Sequence, residues 1–150
     1  MKLSEVKLSS NKSFDSMFFT PEEYKMQWGE NLSTLIIEED DNSNKVDRFI
    51  NNVGLRIREI VRNYSFKELC LYKDELYYNG YKIENEAVIR AVKLAAMEQC
   101  SYMLVNGDLG LRSGIGASKQ IFRNRDKKKV MYSPHAIELL MQAGLLGGVL

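Results

Sequence analysis

One histidine, two cysteines and three pairs of adjacent carboxylates are the first places to look in this sequence for proton-transfer or nucleophilic chemistry. His135 follows Ser133-Pro134 directly, in what reads as the first turn of a helix, a cap-adjacent surface position. A single imidazole cannot build a His-rich metal site, and Cys70 and Cys100 lie far apart with neither in a CxxC pair. Free buried thiols are the plainer reading of both. The acids come as neighbours: Glu22-Glu23, Glu38-Glu39 and Asp40-Asp41. General acid–base work opposes two carboxylates across a shielded cleft, whereas adjacent acids in polar surroundings read as a solvated face. No GxSxG elbow, HExxH pair or GxxxxGK[ST] loop occurs. Gly107-Asp108-Leu109-Gly110 and Gly114-Ile115-Gly116 are glycine-rich, but no strand–turn–helix pattern surrounds them to aim amides at a phosphate. The expectation is a chain that is not an enzyme and takes no cofactor and no metal.

Two segments suggest binding instead. From Arg112 to Lys129 seven cations (Arg112, Lys119, Arg123, Arg125, Lys127, Lys128, Lys129) face one acid, Asp126, although the whole chain carries only +1. With Phe122 and Tyr132 nearby, such a cluster suits nucleic-acid phosphates, or it is a solvated loop. No helix-turn-helix, zinc-finger or RNA-recognition signature accompanies it. The C-terminus, Leu145-Leu146-Gly147-Gly148-Val149-Leu150, has no charged residue. It either folds back onto its own core or docks on another chain, and docking is the reading preferred here.

The elements that must hold these segments are mostly helical. Thr20-Pro21-Glu22-Glu23 is a capping box with Pro at the first helical position. It predicts a helix from Pro21 to about Ile37, interruptible at Gly29, followed by a solvated acidic loop. Ser43 or Asn44 caps a second helix, Lys45 to about Tyr64, with Phe49, Ile50, Val53, Ile57, Ile60 and Val61 on one face. Gly54 costs that helix about 1 kcal/mol relative to Ala, which suggests a close helix contact. Tyr77-Tyr78-Asn79-Gly80-Tyr81-Lys82 reads as a short hairpin or an irregular connector. Asn85 opens a third long helix to about Val105, apolar over much of its surface. Ser133-Pro134 and Gly144 bound the last one.

The fold class expected is therefore mainly α: a bundle of about four helices with a long extended Gly-rich, basic loop and the Tyr-rich hairpin or connector. Its organisation reads as a polar arm (1–16), a helical core (17–106), an extended loop (107–132), and a terminal helix with docking tail (133–150). No apolar run approaches the ~20 residues that cross a bilayer, and Met1–Asn11 has no apolar stretch like that of a signal peptide. A soluble chain made in a cytoplasm, with no membrane partner, is expected.

Three motifs resemble the head–tail connector (adaptor) proteins of tailed bacteriophages. Phe18-Phe19-Thr20-Pro21-Glu22-Glu23-Tyr24 is similar to that family's opening FLTxEEY, and Gly114-Ile115-Gly116-Ala117-Ser118 to its SIGxxS loop. Ser133-Pro134-His135-Ala136-Ile137-Glu138-Leu139-Leu140, with Ala143-Gly144-Leu145-Leu146, is similar to its closing element. Their order and spacing match over roughly residues 17–150. The pattern departs at Gly147-Gly148, where the family has an aromatic residue and an arginine, and Tyr72–Tyr81 and the arm have no counterpart.

The resemblance implies a structural subunit of the virion neck, assembled in the host cytoplasm into an oligomeric ring of about twelve copies beneath the portal. Such a ring joins capsid to tail and surrounds the passage of double-stranded DNA. Its implied partners are the portal protein, copies of itself, and tail or stopper proteins. Contacts with the portal or a neighbour are expected from Gly114, Ile115, Gly116, Ser118, Leu145, Leu146, Val149 and Leu150. Lys127, Lys128 and Lys129 are the candidate conduit contacts. The rival reading is a small nucleic-acid-binding or DNA-packaging-associated protein that uses residues 112–129.

Overall fold

A computed structural model of the chain describes residues 16–36, 45–108 and 132–147. The expected capping box is present in full. The Thr20 hydroxyl accepts from the Glu23 N–H at 3.1 Å, and Glu23 Oε1 accepts from the Thr20 N–H at 2.9 Å. Helix α1 runs only over Pro21–Trp28. Gly29 ends it in the left-handed region (φ 76°), its N–H returning to the Lys25 carbonyl, so the break occurs at the glycine where it was allowed for. Asn31 then caps a separate single turn, α2, Leu32–Leu35.

Helix α3, Lys45–Ser65, buries all six residues of its predicted stripe together with Val46 and Gly54. The close contact at Gly54 is real, but its partner is not a helix. A Cβ there would land on the carbonyl oxygen of Ser16, so the glycine is a notch that seats the chain just before Phe18. Asn51 Oδ1 accepts from the Ser16 N–H at 2.9 Å, and Arg58 donates to its hydroxyl at 2.8 Å. Ser16, Phe18 and Phe19 are all buried. The Ser43 and Asn44 caps lie outside the described residues.

The Tyr-rich stretch forms an antiparallel meander with strand order β1-β2-β3: β1 Leu69–Tyr72, β2 Glu75–Tyr78 and β3 Tyr81–Lys82. Asn79-Gly80 turns between two strands, as one of the two readings had it. A second turn, Lys73-Asp74, precedes it. Both turns put two residues at positive φ (53° and 65°; 53° and 89°), the backbone twist that tight hairpins require. Leu69, Leu71 and Leu76 face the helices, while Cys70 and Tyr77 form a small cluster on the other face with Tyr72.

Helix α4, Glu86–Val105, begins at Asn85, whose side chain accepts from the Ala87 N–H at 2.8 Å. It packs on both α3 and the last helix, α5, Pro134–Gln142. Ala95 and Ala96 are fully buried there, and their small side chains let two neighbours approach one helix. Ser133 caps α5, accepting from the Ala136 N–H at 3.2 Å, and its own N–H donates to the buried Gln99 Oε1 at 2.7 Å. The fold is thus mainly α with a small three-stranded sheet.

The expected docking tail needs a correction. Leu145 and Leu146 are 5% and 1% exposed and belong to the core of their own chain. Gly144, left-handed at φ 82°, turns the chain back after α5, and Tyr78 holds the return by donating its hydroxyl to the Leu145 carbonyl at 2.9 Å. Two leucines cover more apolar area by folding back than by staying free, so the isolated subunit shields them.

Burial also fixes an alkaline limit. Tyr24, stacked on Trp28 and bonded to the Ser101 hydroxyl at 2.8 Å, has its phenol pushed up to about 12 by burial. Burial pushes the Cys100 thiol up to about 12 as well, and burial together with Glu59 does the same for Tyr132. All three ionise more readily when unfolded, at 9.0 for the thiol and 10.0 for the phenols. Their contribution is complete below those values and is lost as pH rises toward about 12. Thermal melts followed by circular dichroism are expected to hold steady up to about pH 9. They should fall above it, because Tyr24, Cys100 and Tyr132 ionise more readily once unfolding exposes them.

Candidate functional site

Among the described residues no group of three or more His, Cys, Asp or Glu is placed to hold a metal ion. Cys100 is fully buried and protonated, which leaves no thiolate to attack anything. His135 stands exposed at the start of α5. Glu23 is engaged in the capping box and in an ion pair with Lys93 at 2.8 Å. Burial raises its pKa, but Lys93 and Thr20 together outweigh that and hold the carboxyl below the usual 4.5. The pair Glu38-Glu39 and the pair Asp40-Asp41 lie outside the described residues.

Surface features are more informative. Phe66 immediately follows α3, with its N–H on the Arg62 carbonyl at 2.9 Å, in the left-handed position where helices usually end on glycine. Its φ is 62° and its ring is 87% exposed. A phenylalanine there costs about 1–2 kcal/mol in backbone strain, and it leaves an aromatic ring in water. Tyr64 beside it is half exposed. The returning tail arrives at the same place, because a Cβ on Gly147 would stand 3.3 Å from Ser65 Cα and from the Tyr64 carbonyl oxygen. The end of α3, the sheet and the tail therefore converge around one exposed aromatic.

A second feature is how segment 109–131 is rooted. Asp108 pairs with Arg56 at 3.0 Å, and the Tyr132 hydroxyl donates to Glu59 at 2.6 Å. Arg56 and Glu59 are three residues apart on α3, about 4.5 Å along its axis, so Asp108 and Tyr132, which flank residues 109–131, are held on one patch of that helix. The third feature is a cleft of about 800 Å³ between the start of α1, the meander and the first turns of α4. Leu76, Ile83 and Ile89 lie on its apolar floor, and Asp74, Glu84 and Glu86 on its rim.

Of the residues singled out by sequence, Leu145 and Leu146 are brought together, but inward. Gly114, Ile115, Gly116, Ser118, Lys127, Lys128, Lys129, Val149 and Leu150 lie outside the described residues. Sequence reasoning passed over Phe66, Tyr64 and the cleft. Phe66 was detectable in principle: it falls off the α3 stripe, just where a stop residue was due. No helix among the described residues is long and apolar enough to cross a membrane. No family model, curated protein or solved structure matches the chain.

Proposed function

We propose that the chain is a structural subunit of a tailed-phage neck, an adaptor that packs as a ring beneath the portal. In that role it joins capsid to tail around the DNA passage, and it acts through interfaces, not chemistry. The observation that carries an interface reading is Phe66, a strained and exposed aromatic at the point where helix end, sheet and tail meet. The phage setting rests on the three sequence motifs. Two of them coincide with sharply capped helix starts, at Thr20-Pro21 and Ser133-Pro134.

In this proposal Phe66 and Tyr64 join Gly114, Ile115, Gly116, Ser118, Val149 and Leu150 as contacts to the portal or a neighbouring copy. Leu145 and Leu146 drop out of that set and serve the fold. Lys127, Lys128 and Lys129 face the conduit. The mature protein belongs to the virion, and assembly takes place in the host cytoplasm.

Mass measurement of the chain alone and with a portal protein tests the reading. Rings of one stoichiometry that form with the portal are expected. A chain that ignores the portal and shifts DNA in a steeply salt-dependent way would replace it with the nucleic-acid reading. Phe66→Gly separates interface from fold. The substitution removes strain, so the melting temperature of the free subunit should hold or rise slightly. Assembly should weaken by tenfold or more, since buried aromatic anchors commonly contribute over 1 kcal/mol each. Equal losses of stability and assembly would make Phe66 a fold residue.

A further inference from the structure

We infer that the cleft beside the meander receives residues 119–125 of a second copy of this chain. The inference rests on the ring reading and names one contact between neighbours. The cleft has the character of a peptide groove. Its floor is aliphatic, its volume of about 800 Å³ falls in the range of pockets that enclose ligands, and its rim is acidic. Five carboxylates line it (Glu23, Asp74, Glu75, Glu84, Glu86) against two lysines. Both lysines are already engaged, Lys93 with Glu23 at 2.8 Å and Lys82 with Glu75 at 3.2 Å. Asp74, Glu84 and Glu86 are exposed and carry no ion pair among the described residues.

An occupant must therefore bring apolar side chains flanked by about three cations. Lys119-Gln120-Ile121-Phe122-Arg123-Asn124-Arg125 has that composition, with two large apolar residues in the middle and Lys119, Arg123 and Arg125 around them. The match reflects how charge is divided within the chain. Residues 109–131 carry seven cations and one acid, +6, so the remaining residues sum to −5 against the total of +1. Glu38, Glu39, Asp40 and Asp41 supply four of those negative charges, and the cleft rim adds its unpaired carboxylates. A neutral subunit with one strongly basic segment and an acidic remainder attracts its own copies head to tail, the arrangement that closes into rings. Filling the cleft in this way leaves Lys127, Lys128 and Lys129 free for the conduit.

The test uses the full chain in two single-substitution forms, Glu84→Cys on the rim and Gln120→Cys in the basic segment. The native Cys70 and Cys100 are buried and do not compete. Mixed and oxidised, the two forms should give a covalent heterodimer, and its yield should fall at high salt. A fluorescent peptide of residues 119–125 should also bind the unmodified chain, and Glu84→Lys should weaken it at least tenfold without moving the melting temperature. Two results would overturn the inference: no crosslink between the two forms, or a peptide indifferent to Glu84→Lys. Neither assay contains a portal, so a failure here leaves the connector reading untouched. Conversely, crosslinking that succeeds while portal assembly fails preserves self-association alone.

Discussion

Gly54→Ala is expected to destabilise the protein by about 2–3 kcal/mol, even though alanine is the better helix former by about 1 kcal/mol. The two effects act on different parts of the molecule. Propensity favours the methyl inside α3, but the methyl would occupy the position of the Ser16 carbonyl oxygen. Backbone cannot swing aside like the tip of a side chain, so the whole Ser16–Phe19 entry must lift. That breaks the Asn51 bond to the Ser16 N–H and the Arg58 bond to its hydroxyl. Each contributes on the order of 1 kcal/mol, and more where the donor is charged. It also loosens Phe18 and Phe19, which are 3% and 1% exposed. Denaturant unfolding checks the sign. An alanine variant as stable as the parent, or more so, would mean that the entry segment does not sit in the notch.

Leu146→Ala should cost the isolated subunit about 2–5 kcal/mol, the range for deleting most of a buried leucine. The side chain is 1% exposed and lies in the same core as Ile60, Val61 and Leu140. The size of the effect discriminates. If residues 145 and 146 gained their order only from a partner, the substitution would leave the free chain unchanged and weaken assembly alone. A large drop in the melting temperature of the lone subunit, with assembly of the remaining folded fraction intact, assigns these leucines to the fold. Phe66→Gly is expected to show the opposite pattern, so the pair separates core from interface.

Most of the helical framework was readable from residue order because each signal was local. Thr20-Pro21-Glu22-Glu23, Asn85 and Ser133-Pro134 fix helix starts through their own hydrogen bonds, and the α3 stripe needs only its period. The meander was half legible: Asn79-Gly80 announces a tight turn, whereas Lys73-Asp74 adopts the same left-handed pair without glycine or asparagine to signal it. Gly54 announced a close approach but not its partner, since Ser16 lies 38 positions away (54 − 16) and no local rule connects them. The fate of Leu145 and Leu146 was likewise a question of tertiary competition. An uncharged terminus suits either a partner or the chain's own core, and the outcome turned on the Tyr78 hydroxyl and the room between the end of α3 and the sheet. The cleft was invisible for the same reason, because its lining comes from three elements whose adjacency no sequence pattern encodes.

Asp108 is tied to Arg56 and Tyr132 to Glu59, so the two residues that flank positions 109–131 are held at neighbouring points of α3. Closing a chain segment between two fixed points depends only logarithmically on its length, about 0.6 kcal/mol for each doubling. Changes of length within residues 109–131 are therefore expected to leave the stability of the helices nearly unchanged, so that what constrains this segment is assembly and not folding.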